Sequence, residues 1–122
     1  MSTLKVNTLE EATSGGATYF TVKAWINWKN SGGNSLEASG NVSSVTDVTT
    51  GVYRTNFSNA FSTATYTVSG AVNTSGSTAV AAVAFNTSSG GTGYTTTACG
   101  HASEDVDAGF IDYVNNTVIY LR

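Results

Sequence analysis

Between residues 18 and 28 the chain alternates. Phe20, Val22, Ala24, Ile26 and Trp28 fall on one side, and Tyr19, Thr21, Lys23, Trp25 and Asn27 on the other. A period of two over β-branched and aromatic residues predicts a half-buried strand. At ~3.3 Å per residue such a strand crosses a whole small domain. Trp28 belongs to the apolar side and is the expected core anchor. Trp25 shares its side with Lys23 and Asn27. That face is covered by a second layer, covered by a partner chain, or is a binding surface.

The same pattern recurs downstream. Residues 36–38 predict a short strand ending at Gly40 and Asn41, and residues 42–47 predict another. Thr49, Thr50 and Gly51 turn the chain. Residues 52–57 alternate with Tyr53, Thr55 and Phe57 together, and residues 66–72 with Tyr66, Val68, Gly70 and Val72 together. Phe61 is an apolar plug in the connection between them. Residues 78–85 carry Ala and Val on both faces, the mark of a strand buried on both. Residues 94–99 predict a further strand and residues 100–108 an acidic loop. Residues 109–114, an Asn115-Asn116 turn and residues 117–122 predict a closing hairpin. Closely spaced strands with turn signals between them, and almost no helical periodicity, predict an all-β antiparallel sandwich of jelly-roll-like form over residues 17–122.

Ahead of it, residues 1–16 read as an N-terminal arm and linker. Leu4, Val6 and Leu9 are its apolar positions, and Gly15-Gly16 is a hinge. So few apolar residues cannot fold alone, so the arm is either disordered or docked on another subunit. Leu4, Val6, Leu9, Tyr19 and Trp25 are the interface candidates.

Composition sharpens this picture. Charged residues make up 11% of the 122-residue chain, against ~25% in typical soluble domains. Ser, Thr, Asn and Gly take their place, which suits a closely packed assembly. Pro is absent, so strand edges must be paired or blunted by other means. The net charge of −3 and five scattered Lys and Arg residues leave no footprint for nucleic acid. No apolar run is long enough for a membrane helix, and no ordinary export signal opens the chain. The expectation is a soluble protein made in a cytoplasm.

Candidate chemistry is sparse. Cys99 is the only cysteine and His101 the only histidine. Two residues apart, they share a face of a strand, but nothing nearby activates a thiolate. An ordinary buried Cys beside a loop His is the simpler reading. Too few Cys and His exist for zinc. Glu104, Asp105 and Asp107, with Asp112, offer oxygens of the kind calcium takes, yet they lack a glycine-turned calcium loop and read as a solvated acidic segment. No catalytic residue, metal ligand or cofactor is expected. Aromatic residues can stack on sugars, and Tyr53, Tyr94 and Tyr113 are the candidate ligand contacts, although aromatics in sandwiches more often serve core or interface.

Three segments resemble a module of tailed-bacteriophage tail and fibre proteins. Residues 2–9 followed by a Ser-Gly-Gly break look like the start of such proteins. Lys23-Ala24-Trp25-Ile26-Asn27-Trp28 resembles their Lys-Ala-Trp-Val-Asn-Phe strand. Residues 40–47 and 50–57 resemble their Asn-Val-Ser-Ser-Ile-Thr-Asp and Gly-Asp-Tyr-Thr-Val-Asn-Phe segments, in the same order and spacing. The likeness covers about residues 2–72. It departs at Trp28, Val52, Arg54 and Thr55, none of which breaks the strand pattern. The resemblance implies a virion structural protein without enzymatic activity: a homotrimeric tail fibre, tail-tip or adaptor module, joined to other virion proteins through its arm. Alternatives are a module that binds host-surface glycan, or a head decoration or head-fibre protein.

Overall fold

The computed structural model describes residues 21–30, 35–73, 81–84, 93–105 and 109–122. Their strands are β1 (Val22–Lys29), β2 (Ser35–Gly40), β3 (Val42–Thr49), β4 (Val52–Phe57), β5 (Thr67–Asn73), β6 (Ala81–Ala84), β7 (Ala98–Asp105), β8 (Gly109–Phe110) and β9 (Asn115–Leu121). One sheet runs β2-β1-β9-β5. The other runs β3-β4-β7-β6, with β8 also pairing β7. Every pairing is antiparallel. The architecture is an all-β sandwich.

Alternation fills the space between the sheets. From β1 come Ala24, Ile26 and Trp28, from β9 Val118 and Tyr120, and from the facing sheet Val42, Tyr53, Phe57 and Cys99, all buried. Trp28 meets His101 edge-on at 5.0 Å between ring centroids and Tyr53 at 5.5 Å. A second aromatic group closes the other end of the core. Phe61, the expected plug, stacks on Phe57 at 4.4 Å, and Tyr66 and Tyr120 stand edge-on to Phe57. Such ring pairs contribute about 0.5–1.5 kcal/mol each beyond their burial.

Four expectations change. Val22 does not join the core face. A bulge between Val22 and Ala24 in the β1–β9 ladder turns it outward, where it is 52% exposed. Residues 94–99 do not form a strand, because Thr95 captures the local backbone. Its hydroxyl accepts from the Ala98 N–H (2.8 Å) and donates to the Ala98 carbonyl (2.9 Å), a local bond pattern that competes with a ladder. The strand begins instead at Ala98 and runs through much of the expected acidic loop, so His101 is a buried strand residue. Finally, Asn115 and Asn116 are not a turn. Asn116 is buried within β9; its Oδ1 accepts from Ser103 Oγ (3.0 Å) and its Nδ2 donates to the Tyr113 carbonyl (2.8 Å). β9 pairs with β1 and β5 on its two sides, so no closing hairpin forms.

The β3–β4 turn is fixed by Gly51, whose φ is +67°. A side-chain carbon there would lie 2.6 Å from the Ile111 nitrogen and 2.8 Å from the Ser103 carbonyl oxygen. Both backbone shape and space therefore require glycine. Asp112 Oδ1 accepts from the Gly51 N–H (2.6 Å) and from the Tyr53 hydroxyl (2.7 Å). Asn30 Nδ2 donates to the same phenol oxygen (2.8 Å).

Replacing Trp28 with Ala removes the fully buried side chain that touches both sheets. The variant is expected to lose about 3–5 kcal/mol of stability, read as a lower denaturant midpoint. A loss below about 1 kcal/mol is what a peripheral ring would give, and would contradict this role.

Candidate functional site

The inner face of the β2-β1-β9-β5 sheet packs on the core, so its registers dictate the outer one. In one row Gly40 pairs with Trp25, Trp25 with Ile119, and Ile119 with Ser69. In the next, Ala38, Asn27, Thr117 and Ala71 stand side by side. Beyond the bulge Val22 pairs with Leu121, and Leu121 with Thr67. Side chains alternate across a sheet, so these rows form one surface.

Trp25 lies across Gly40. A side-chain carbon on Gly40 would come within 2.8 Å of the indole Cδ1, so the ring fits there because glycine faces it. The indole remains 40% exposed. With Val22, Ile119 and Leu121 it makes an apolar strip. Beside the strip run two adjoining shallow depressions. One, of about 320 Å³, is lined by Asn27, Ala71, Val72, Asn115 and Thr117. The other, of about 210 Å³, is lined by Ser69, Gly70, Ala71, Thr117 and Ile119. No described titratable group lines either one, so the contacts they offer are packing, stacking and neutral hydrogen bonds.

Of the interface candidates, Trp25 is thus on the surface, while Leu4, Val6, Leu9 and Tyr19 lie outside the described residues. The ligand-contact candidates separate. Tyr53 is fully buried and its hydroxyl is engaged by Asp112 and Asn30; its place beside Thr55 and Phe57 on the inward face of β4 removes it from any surface contact. Burial, reinforced by the Asp112 carboxylate, pushes its phenol pKa well up. Tyr113 is buried as well. Tyr94 is 39% exposed, with its ring 5.0 Å from that of Tyr66. Val22, Gly40, Ile119 and Leu121 were not singled out in the sequence. The alternation of Thr117, Ile119 and Leu121 marks a shared face, but only the ladder with β1 shows that this face also carries Trp25.

Cys99 and His101 share the inward face of β7. Burial pushes the Cys99 thiol up to about 11, away from thiolate reactivity. Burial lowers the His101 pKa to about 4, opposed weakly by the Cys99 backbone. Neither imidazole nitrogen has a hydrogen-bond partner of good geometry. Both groups are neutral components of the core. Of the acidic residues considered for calcium, Asp107 lies outside the described residues; among the described residues no three His, Cys, Asp or Glu side chains converge.

The His101 shift has a definite sign. The folded chain holds the imidazole neutral, whereas the unfolded chain protonates it near its ordinary pKa of 6.5. Between those values the unfolded state binds more protons, so stability falls as pH drops from 6.5 towards 4. From about pH 8 to about pH 5 the loss from this group is expected to be about 2 kcal/mol. Urea unfolding of the wild type and of His101→Phe measures it; an unchanged acid limb in the variant would show that other groups are responsible. On the surface, Gly40→Ala is expected to displace the Trp25 indole, raising its accessibility to a fluorescence quencher while leaving the unfolding midpoint within about 1 kcal/mol of wild type.

Comparison with protein-family models, with curated proteins and with solved structures finds no match to this chain.

Proposed function

We propose that this protein is a structural component of a tailed-bacteriophage virion, a tail fibre, tail-tip or adaptor module that assembles with copies of itself as a homotrimer. The observation that carries the reading is the outer face of the β2-β1-β9-β5 sheet. It presents Trp25 and Val22, 40% and 52% exposed, beside Ile119 and Leu121. Tryptophan on a partly apolar, uncharged strip is what subunit contacts favour. The low charge of the chain and the all-β sandwich agree with that role, and the likeness over residues 2–72 supplies the virion context and the trimer. The arm, residues 1–16, is the expected link to other virion proteins. No catalytic role is assigned, in keeping with the buried, neutral state of Cys99 and His101.

One feature favours a second reading of the same face. The depressions beside Trp25 are lined by amide and hydroxyl groups, Asn27, Asn115, Thr117 and Ser69. An aromatic ring flanked by neutral hydrogen-bonding groups also suits host-surface glycan. Head decoration or a head fibre remains the alternative position on the particle.

Sedimentation equilibrium tests the assembly. The wild type is expected at three times the 12.6 kDa chain mass. Trp25→Ala is expected to weaken the trimer by about 2 kcal/mol or more per site, as an interface hot spot does, with an unchanged β spectrum. A monomeric wild type at micromolar concentration, or a Trp25→Ala protein that stays fully trimeric, would count against this surface as the contact.

A further inference from the structure

At one end of the sandwich lies a cleft of about 300 Å³ lined by Lys23, Asn41, Ala60, Phe61, Ser62 and Arg122. Two cationic residues line it, in a chain whose net charge is −3. Among the described residues no Asp or Glu side chain lines the cleft. Among the described residues the ion pair is Lys29 with Glu37, at 3.3 Å, so neither Lys23 nor Arg122 is neutralised by a described carboxylate side chain.

Local structure places both. Lys23 is the extra residue of the β1 bulge, between Val22 paired with Leu121 and Ala24 paired with Tyr120. Bulges re-aim side chains at sheet ends. The Arg122 backbone is held by Thr21 in both directions, Thr21 N–H to the Arg122 carbonyl at 3.0 Å and Arg122 N–H to the Thr21 carbonyl at 3.1 Å. Asn41 cross-links the cleft wall by hydrogen bonds. Asn41 stands in the left-handed region at φ +56°. Its Nδ2 donates to the carbonyls of Lys23 and Asn59, both at 3.2 Å. Its Oδ1 accepts from the Asn59 N–H (2.8 Å) and Nδ2 (3.1 Å). An uncommon backbone conformation is thereby fastened to both β1 and the loop that carries Ala60, Phe61 and Ser62.

We propose that this cleft binds a carboxylate-bearing sugar of the uronic or sialic acid class. The planar Arg122 guanidinium matches a carboxylate by two parallel hydrogen bonds, and Lys23 adds a second positive charge. Ser62 supplies a hydroxyl, and Ala60 with the edge of Phe61 an apolar surface for the sugar ring. The compact volume suits a sugar ring better than an extended acidic peptide, which needs a groove or a strand edge. The cleft shares no lining residue with the depressions beside Trp25.

Calorimetry and amide chemical-shift mapping on the full chain test it, with glucuronate and N-acetylneuraminate as probes at low salt. At least one is expected to bind, with shifts confined to the surroundings of Lys23, Ser62 and Arg122, and about ten-fold more tightly than glucose, acetate or inorganic phosphate. Lys23→Gln and Arg122→Gln are each expected to weaken binding about five- to ten-fold. Lys29→Gln, which removes the same charge elsewhere, is expected to leave it unchanged. No binding of either sugar acid, equal binding of acetate or phosphate, equal loss in Lys29→Gln, or tighter binding of a tetraglutamate peptide would each overturn the proposal.

Discussion

Trp28 joins the two sheets. Its indole comes from β1, while the rings it meets edge-on, His101 and Tyr53, come from β7 and β4. Two stacked sheets stand ~10 Å apart, and a tryptophan is the side chain best able to span most of that gap. Tyr53 then carries the contact outward. Its hydroxyl reaches Asp112, which also holds the Gly51 N–H, and receives a bond from Asn30. The end of β1, the β3–β4 turn and the approach to β9 are thus tied to one aromatic contact. The arrangement costs something: the Trp28 Nε1 and both His101 nitrogens are buried without a partner of good geometry. An unpartnered buried polar group costs about 1–3 kcal/mol. Large ring burial on the same residues offsets it, and a neutral imidazole keeps the penalty from becoming that of a charge.

The inward packing of Ala24, Ile26 and Trp28 leaves Trp25 no choice of side. With a period of two, fixing Trp28 inward fixes Trp25 outward, and a one-residue slip would exchange them. Gly40 then decides how the exposed indole lies, since any larger neighbour on β2 would lift it off the sheet. The bulge at Lys23 ends this register. It releases Val22 to the outer strip and sets Lys23 at the end cleft, so one irregularity shapes two different surfaces.

Alternation made the sandwich, the Trp28 core position and the outward Trp25 legible in the sequence, because each depends on the period of one strand. Apart from the local capture of Ala98 by Thr95, the misread elements depended on partners distant along the chain. Asn115 and Asn116 resemble a turn locally, but β1 and β5 pair on either side of them and Ser103 satisfies the buried amide of Asn116. His101 looked like a loop residue because the acidic residues after it suggested solvent; β4 pairing through Tyr53 draws it into the core. Tyr53 was a ligand candidate only by residue type, and its own alternation with Thr55 and Phe57 already pointed inward. The outer strip was half legible. Ile119 and Leu121 mark a face, but their meeting with Trp25 follows from a ladder joining residues about ninety positions apart, which no local pattern encodes.

The sheet edges bear on the proposed assembly. A chain without proline must protect them otherwise. On β2, Lys29 and Glu37 place an ion pair across the edge ladder, and a bulge between Asn27 and Trp28 interrupts its register. On β3, bulges fall near both ends and Asp47 adds a charge. Both edges are therefore poorly suited to pairing with another strand. β5 differs. It pairs with β9 over seven residues without interruption and carries no charged side chain in Thr67-Val68-Ser69-Gly70-Ala71-Val72-Asn73. Its small outward residues, Ser69 and Ala71, border the strip that holds Trp25. Protection is thus concentrated on one side of the outer face and relaxed on the other, so a partner approaching this sheet meets charge at β2 but a flat, neutral surface from Trp25 across β9 to β5. For the proposed homotrimer, that asymmetry favours contact through the face and its β5 border over edge-to-edge growth at β2 or β3.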